Sequence, residues 1–211
     1  MNFRKKSILL IGAGGHSHSC IDVIEATKKY RIVGLVGKED EIGNKVNGYE
    51  VIGSDIQLQE LSNEYQNAHI SIGQIGDFRT RSKAFKNAES LGFELPSIIS
   101  PKAYVSTNSV IGKGSIVMHG VVINSGVTIG RNCIMNTNAL IEHDVEIGNN
   151  CHISTGVIIN GDVIIGEETF VGSGSVIKQS LTISNQVFIG MHERVISNIG
   201  IGQRFIGGVL V

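Results

Sequence analysis

Residues 121–141 read VVINSGVTIGRNCIMNTNALI, and an aliphatic side chain returns at every sixth position, at Ile123, Ile129, Met135 and Ile141. Backwards the frame reaches Val117, Ile111 and Val105. Forwards it runs through Ile147, Ile153, Ile159, Ile165, Val171, Ile177, Ile183 and Ile189. Two residues before each stands a small or modest side chain, as at Ala103, Ser109, Ser115, Val121, Val127, Cys133, Ala139, Val145 and Cys151. Glycine follows the aliphatic position at Gly112, Gly130, Gly148 and Gly166, eighteen apart. An internal period of this kind takes precedence over local propensity. An antiparallel sheet would instead alternate with a period of two, broken by turns roughly every 8–12 residues.

A chain that turns a corner every six residues closes a triangular coil, and the next coil stacks on it at about 4.8 Å. The aliphatic residue then points into the prism from every face, and the small residue lets the backbone turn. Glycine beside it relieves corners that need positive φ. Each coil meets only its neighbours, so the ends need caps.

The composition fits such a fold: of 211 residues 41% are apolar, 27 are glycine, two are proline and none is tryptophan. A disordered chain would be apolar-poor. A net charge of −1 gives no electrostatic case for nucleic acid or an anionic membrane. No stretch approaches the roughly 20 apolar residues of a membrane span. The opening Met1–Ser7 is basic, but the apolar run Ile8–Ile11 stops at Gly12, too short for a signal-peptide core. It reads as a first strand, and the expected location is cytoplasmic. Cys133 and Cys151 lie eighteen apart and read as small core residues, not as a disulfide or a catalytic thiol.

Before Pro96 the pattern changes. Ser7–Ile11 is an apolar run, followed by Gly12-Ala13-Gly14-Gly15-His16, an amphipathic stretch from Ser17 to Lys29, and a second apolar run from Ile32 to Val36. Strand, glycine turn, helix, strand is a βαβ unit. Ser54 and Gln57 have the spacing of a capping box for a helix through Leu61. Ala68–Gly73 reads as a strand and Arg79–Leu91 as a helix. The expected division is a Rossmann-like α/β domain over 1–98 and an all-β parallel β-helix over 99–211. The glycine turn offers bare amides and a positive dipole end to a phosphate. As a dinucleotide fingerprint it is incomplete: Ser17 stands at the last glycine position, and no acidic residue ends the second strand at Val36-Gly37-Lys38.

Within the six-residue frame, Glu142, His143 and Asp144 share one corner. Acyl transfer from a thioester needs a base for the acceptor's proton and donors aimed at the developing oxyanion. Histidine suits the first task, and flanking carboxylates can fix its tautomer. Gly161 follows His143 by eighteen residues, so it lies on the same edge one coil along, where its N–H can stay open.

The six-residue frame resembles that of left-handed β-helix acyltransferases. With Gly-Ala-Gly-Gly-His at the start and Ser71-Ile72-Gly73-Gln74-Ile75 before the Arg79 helix, the whole chain resembles the NeuD/PglD-type bacterial sugar acetyltransferases. The resemblance implies acetyl-CoA as co-substrate, no metal, a nucleotide-linked amino sugar as acceptor, and a homotrimer with active sites between subunits. It makes His143 the general base and the Gly161 amide the oxyanion donor. Asn136 and His152 become substrate contacts, and Gly12, Gly14, Gly15 and His16 the sugar-nucleotide loop. Gly161, Gly172 and Gly190 would line the coenzyme.

Two departures stand out. Acidic residues usual just after the second strand are displaced to Glu39 and Asp40, and the end of the β-helix reads Gly190-Met191-His192-Glu193-Arg194 in place of a Gly-x-Pro-Ala turn. His119 and His192 have no motif around them and read as structural or surface residues.

The expected reaction is N-acetylation of a UDP- or dTDP-linked 4-amino-4,6-dideoxy sugar for a surface glycan. O-acetylation of a sialic-acid-like sugar is the alternative, because the motif does not separate an amine from a hydroxyl. A zinc site would need three converging histidines, and His143 and His152 are half a coil out of register. A non-catalytic nucleotide-sugar-binding scaffold is the remaining reading.

Overall fold

The computed structural model describes residues 5–211, so the basic Met1–Arg4 lies outside the described residues. The chain forms two compact units. One holds the residues up to Gly73 together with Arg79–Ile98; the other holds Gln74–Phe78 and Ile99–Val211. A single boundary after residue 98 does not anticipate that Gln74–Phe78 packs with the second unit.

The first unit runs β1 (Lys6–Ile11), α1 (Gly15–Thr27), β2 (Tyr30–Gly37), β3 (Lys45–Val46), β4 (Tyr49–Ser54), α2 (Leu58–Glu64), β5 (Asn67–Ile70) and α3 (Arg79–Ser90). The sheet order is β3-β4-β2-β1-β5, with β4, β2, β1 and β5 parallel and β3 antiparallel to β4. Leu9, Ile11, Ala68 and Ile70 bury one face against Leu58, Leu61, Phe85 and Ala88. The chain moves outward from β1 through β2 and β4, then returns to β1's other side as β5. In open α/β sheets such a switch point opens a crevice beyond the strands' carboxyl ends.

Two local expectations shift. Helix α1 begins at Gly15, with Gly14 as its N-cap, and ends where Lys28 turns left-handed at φ 58°. Half of the capping box forms: the Gln57 carboxamide accepts the Ser54 N–H at 2.8 Å, but α2 starts only at Leu58.

The second unit is a prism of three sheets, and up to Arg194–Val195 its two-residue strands run parallel, each pairing with the strand eighteen residues away. Ile123 pairs with Ile141 and Ile129 with Ile147. Both the aliphatic residue and the small residue two before it point inward: Val121, Ile123, Cys133, Met135, Ala139 and Ile141 are all fully buried.

Positive φ falls elsewhere than expected. It recurs every six residues at the outer corner, from Gly114 through Asn132, Asn138, Asp144, Asn150 and Asp162 to His192. Asn and Asp tolerate this conformation better than most residues. Gly112, Gly130 and Gly148 have ordinary φ; they are small because a β-carbon there would lie 2.6–2.7 Å from the backbone of the next coil. Cys133 and Cys151 are buried thiols outside any disulfide, and each donates to a corner carbonyl at 3.1 Å, as Ser115 does with its hydroxyl. They are core residues of the ladder. The last coil is closed by a hairpin, Arg204–Ile206 with Val209–Leu210, whose Gly207 and Gly208 amides donate to the buried Glu193 carboxylate at 2.6 and 2.9 Å.

Candidate functional site

His143 stands at the corner after the strand Leu140–Ile141. The next residue, Asp144, has φ 59°, and this turn places its Oδ2 2.9 Å from His143 Nδ1. That hydrogen bond raises the His143 pKa above 6.5. Slight desolvation opposes the rise, and the charges of Asp144, Glu142 and Asp162 add to it. Only one of the two flanking carboxylates orients the ring. Glu142 turns the other way and accepts from Asn124 Nδ2 at 2.8 Å, the residue eighteen before it.

The imidazole lies over Gly161: a β-carbon at 161 would come within 2.7 Å of both Cε1 and Nε2. The Gly161 carbonyl accepts the Ser180 N–H at 3.0 Å, whereas its own N–H has no acceptor among the described residues. With Nδ1 held by Asp144, Nε2 is the nitrogen available to take a proton. It faces an open cavity of about 380 Å³ lined by Glu142, His143, Gly161, Asn160, Asp162, Gln179 and Ser180. Sequence reasoning missed Asn160, Asp162, Gln179 and Ser180, yet the eighteen-residue step finds them: Asn160 follows Glu142, Asp162 follows Asp144, Gln179 follows Gly161, and Ser180 follows Asp162.

Asn136 and His152 are not brought to this corner within the chain. They lie on and beside another sheet, that of Ile134–Met135 and His152–Ile153. His152 is 5% exposed. Its Nδ1 is 2.6 Å from the Gln74 carbonyl and its Nε2 3.2 Å from Asn136 Nδ2. Phe170 meets the ring edge-on at 5.3 Å. Gly172 and Gly190 continue the Asn136 corner, and a β-carbon at 172 would fall on the Gly190 carbonyl. His119 bonds Ser100 through Nδ1, and His192 sits at a left-handed corner beside Gly174.

In the first unit, Gly12 has φ +118°, and a β-carbon there would lie 2.5 Å from Ile72 Cγ1 and 2.9 Å from its backbone N. Ser71 Oγ donates to the Gly12 carbonyl at 2.6 Å. This glycine lets the β1 turn close against the end of β5. Gly14 and Gly15 have no such reason: a β-carbon at either meets nothing within 4 Å. The start of α1 has no side-chain cap and no acidic residue in its first turn, so it presents open amides at the switch point and suits an anion. His16 falls inside the first turn of α1, against Gly73. Glu39 and Asp40 are exposed in a short 3₁₀ turn, where Glu41 accepts the Lys38 N–H at 2.8 Å.

Among the described residues no cluster of three or more His, Cys, Asp or Glu is arranged to hold a metal ion. No helix among them is long and apolar enough to cross a membrane.

Comparison with known proteins agrees with this architecture. Residues 7–88 match the PglD N-terminal domain, and residues 108–143 and 144–179 each match the bacterial transferase hexapeptide (six repeats). No curated protein matches the chain. Among solved structures, the acetyltransferase domain of PglB from Neisseria gonorrhoeae is 32% identical over 98% of this chain and 99% of its own, with a TM-score of 0.89. The same domain has been seen in complex with acetyl coenzyme A. Perosamine N-acetyltransferase from Caulobacter crescentus, with one histidine replaced by asparagine and in complex with CoA and GDP-perosamine, is 30% identical. That match covers 97% of this chain and 95% of that one, with a TM-score of 0.90. The prism is the left-handed β-helix of these enzymes, and the chain is an acyltransferase belonging to the NeuD/PglD-type family of sugar acetyltransferases.

Proposed function

We propose that this protein transfers the acetyl group of acetyl-CoA to the amino group of a nucleotide-linked 4-amino-4,6-dideoxy sugar, with His143 as general base. The observation that carries the reading is the His143–Gly161 edge: a base oriented by Asp144, its Nε2 above a glycine whose N–H is open. The amine attacks the thioester carbonyl while His143 Nε2 takes its proton. The Gly161 N–H stabilises the oxyanion, and the tetrahedral intermediate collapses to the amide as the CoA thiolate leaves and is protonated. Supporting the acyl donor and the sugar, the Neisseria and Caulobacter relatives were solved with acetyl-CoA, and with CoA and GDP-perosamine.

The cavity favours an amine over the sialic-acid alternative. Its carboxylates Glu142 and Asp162, with Asp144 behind His143, make a negative field. That field attracts an ammonium and repels the carboxylate that sialic acid carries on the sugar itself. The sugar's diphosphate is assigned to the start of α1, where Gly14, Gly15 and His16 stand, because the amides there are open and no acidic residue opposes an anion.

A homotrimer completes the reading. The outer face beside His143 carries Tyr104, Val122, Leu140, Ile158 and Val176 in one stripe, half-buried to exposed. Packing against a second copy would cover it.

The test offers purified protein acetyl-CoA and a panel of acceptors, following free thiol release. The panel holds UDP-, dTDP- and GDP-linked 4-amino-4,6-dideoxy sugars, CMP-sialic acid and free sialic acid. Release with an amino sugar and its loss in His143→Ala, with the fold intact, is the expected result. Release with sialic acid alone would transfer the assignment to O-acetylation.

A further inference from the structure

The cavity at the His143 corner contains an acceptor whose direction the backbone fixes. Asn160 stands one circuit after Glu142 and next to Gly161. Its backbone N–H and its Nδ2 both donate to the Ile177 carbonyl, at 3.1 and 2.7 Å. Turning the carboxamide over would set oxygen against that carbonyl, so Nδ2 is the arm held by the next coil. Oδ1 is the arm left over. It accepts no hydrogen bond among the described residues, and Asn160 lines the cavity that His143 Nε2 faces. Stacking alone does not dictate this arrangement. Asn124, one circuit before Glu142, gives its Nδ2 to the Glu142 carboxylate, whereas Asn160 turns away from it.

Two acceptors thus face one cavity: His143 Nε2, with Nδ1 held by Asp144, and Asn160 Oδ1. A primary amine has two hydrogens and one lone pair. When the lone pair attacks the thioester carbonyl, one N–H is directed to each acceptor. The N–C bond forms, the C–S bond breaks, and the proton taken by His143 passes to the departing thiolate. The second hydrogen stays on nitrogen as the product's amide N–H, so its bond to Asn160 persists throughout. A hydroxyl has a single hydrogen, which His143 takes. Its spare lone pair then meets Asn160 Oδ1, acceptor against acceptor, and a site built for one hydrogen-bond pattern rejects the other. The neutrality of Asn160 matters here. Glu142 and Asp162 draw an ammonium into the cavity, but a carboxylate bonded to the nitrogen would keep it protonated and without a lone pair.

We propose that Asn160 is the specificity-determining residue that selects an amine over a hydroxyl, its Oδ1 receiving the N–H that His143 does not take. This rests on the acetyl-transfer reading above and deepens its choice of acceptor. The negative field of the cavity disfavours sialic acid, yet it does not reject the hydroxyl of an uncharged sugar. Asn160 does.

The test uses UDP-, dTDP- and GDP-linked 4-amino-4,6-dideoxy sugars and, for each, the counterpart with a 4-hydroxyl, which is nearly the same size. Wild type and Asn160→Ala are compared at about pH 8.5, above the usual imidazole range. The amino sugar that releases thiol from acetyl-CoA serves as substrate, and its hydroxyl counterpart as competitive inhibitor. Asn160→Ala should lower kcat/KM for the amine by about 10-fold or more, the scale of one donor left unpaired. The Ki of the hydroxyl counterpart should stay within about twofold or tighten, because no bond to it is lost. Equal weakening of both would make Asn160 a general contact and overturn the selection. An unchanged kcat/KM for the amine would overturn the contact itself. A thermal melt shows whether the variant is folded. If it is not, the wild-type crystal structure with CoA and the amino sugar decides: Asn160 Oδ1 should lie about 3 Å from the 4-amino nitrogen, and a nitrogen beyond hydrogen-bond reach overturns the proposal. Thiol release with none of the amino sugars would sink the amine reading and this assignment with it, whereas release that Asn160→Ala leaves unaltered sinks the assignment alone.

Discussion

The imidazole of His143 occupies the space that a side chain at Gly161 would need, with Cε1 and Nε2 each 2.7 Å from the position of a β-carbon there. The glycine is thus required by the imidazole itself, one coil away. Gly161→Ala keeps the backbone N–H and has no positive φ to strain. It should nevertheless push the ring off its Asp144 hydrogen bond and lower kcat by about 100-fold, as small misplacements of catalytic groups do. Steady-state rates with a thermal melt check this; full activity would mean that the ring does not lie where the site needs it.

Asp144→Asn tests the cause of the raised His143 pKa. Asparagine accepts the left-handed φ of 59° at this corner, so the backbone survives while the charge is lost. In its proposed role as base His143 works as neutral imidazole, so the acidic limb of kcat/KM should lie above 6.5 in the wild type. It should move to lower pH in the variant, and kcat should fall roughly 10- to 100-fold. A pH profile of both proteins is the measurement, and an unmoved limb would exclude His143 as the titrating group.

The glycines of the β1–α1 turn should separate by role. Gly12→Ala meets Ile72 at 2.5 Å in a φ of +118° and should destabilise by about 2 kcal/mol or more. Gly15→Ala meets nothing and lies in a helix, so its stability should hold or rise by up to about 1 kcal/mol. Its KM for the sugar nucleotide should instead rise about 10-fold, if the open amides receive the diphosphate. Chemical denaturation and KM together decide between the roles.

Acid stability should depend on a residue outside the site. His69 on β5 is fully buried, and neither ring nitrogen has a hydrogen-bond partner among the described residues. Burial, then the charges of Arg81 and His16, holds its pKa well below 6.5. The unfolded chain takes up a proton near pH 6.5 while the folded one does not. Stability is therefore whole above that value and declines as pH falls from 6.5 towards the depressed folded pKa. His69→Leu should flatten the decline and, by removing an unsatisfied buried polar group, raise stability at neutral pH by about 1 kcal/mol or more. Urea unfolding at several pH values measures both.

The prism was legible because one constraint repeats: an inward side chain every six residues leaves a mark that no local preference can imitate. The same arithmetic placed Gly161 beside His143. What it did not reveal were the outer corners, where Asn132, Asp144 and Asp162 carry the positive φ that glycine had been expected to absorb. Asn and Asp tolerate that conformation well, but Glu168, Ser180, Gln186 and His192 also adopt it beside the glycines, so the signal is spread over seven residue types. The glycines at 112, 130 and 148 answer to close stacking instead. Gln74–Phe78 was illegible for a different reason. Its partners are set by tertiary packing, in a pair of bonds from Gln74 to Asn150 and His152 that no spacing predicts. The roles of Glu142 and Asp144 were interchangeable in sequence; a single φ of 59° separates them.

Because His143 and Gly161 meet through stacked coils rather than through a loop, the distance between them is counted in whole circuits of the chain. One residue gained inside a strand between them would turn every later inward side chain to the outside, taking the core and the His143–Gly161 edge together. A whole added circuit of eighteen beyond Ser180 would change neither. The length of such a protein can therefore vary only in large quanta, and the corners, where His143 and Gly161 stand, are the places left free to change one residue at a time.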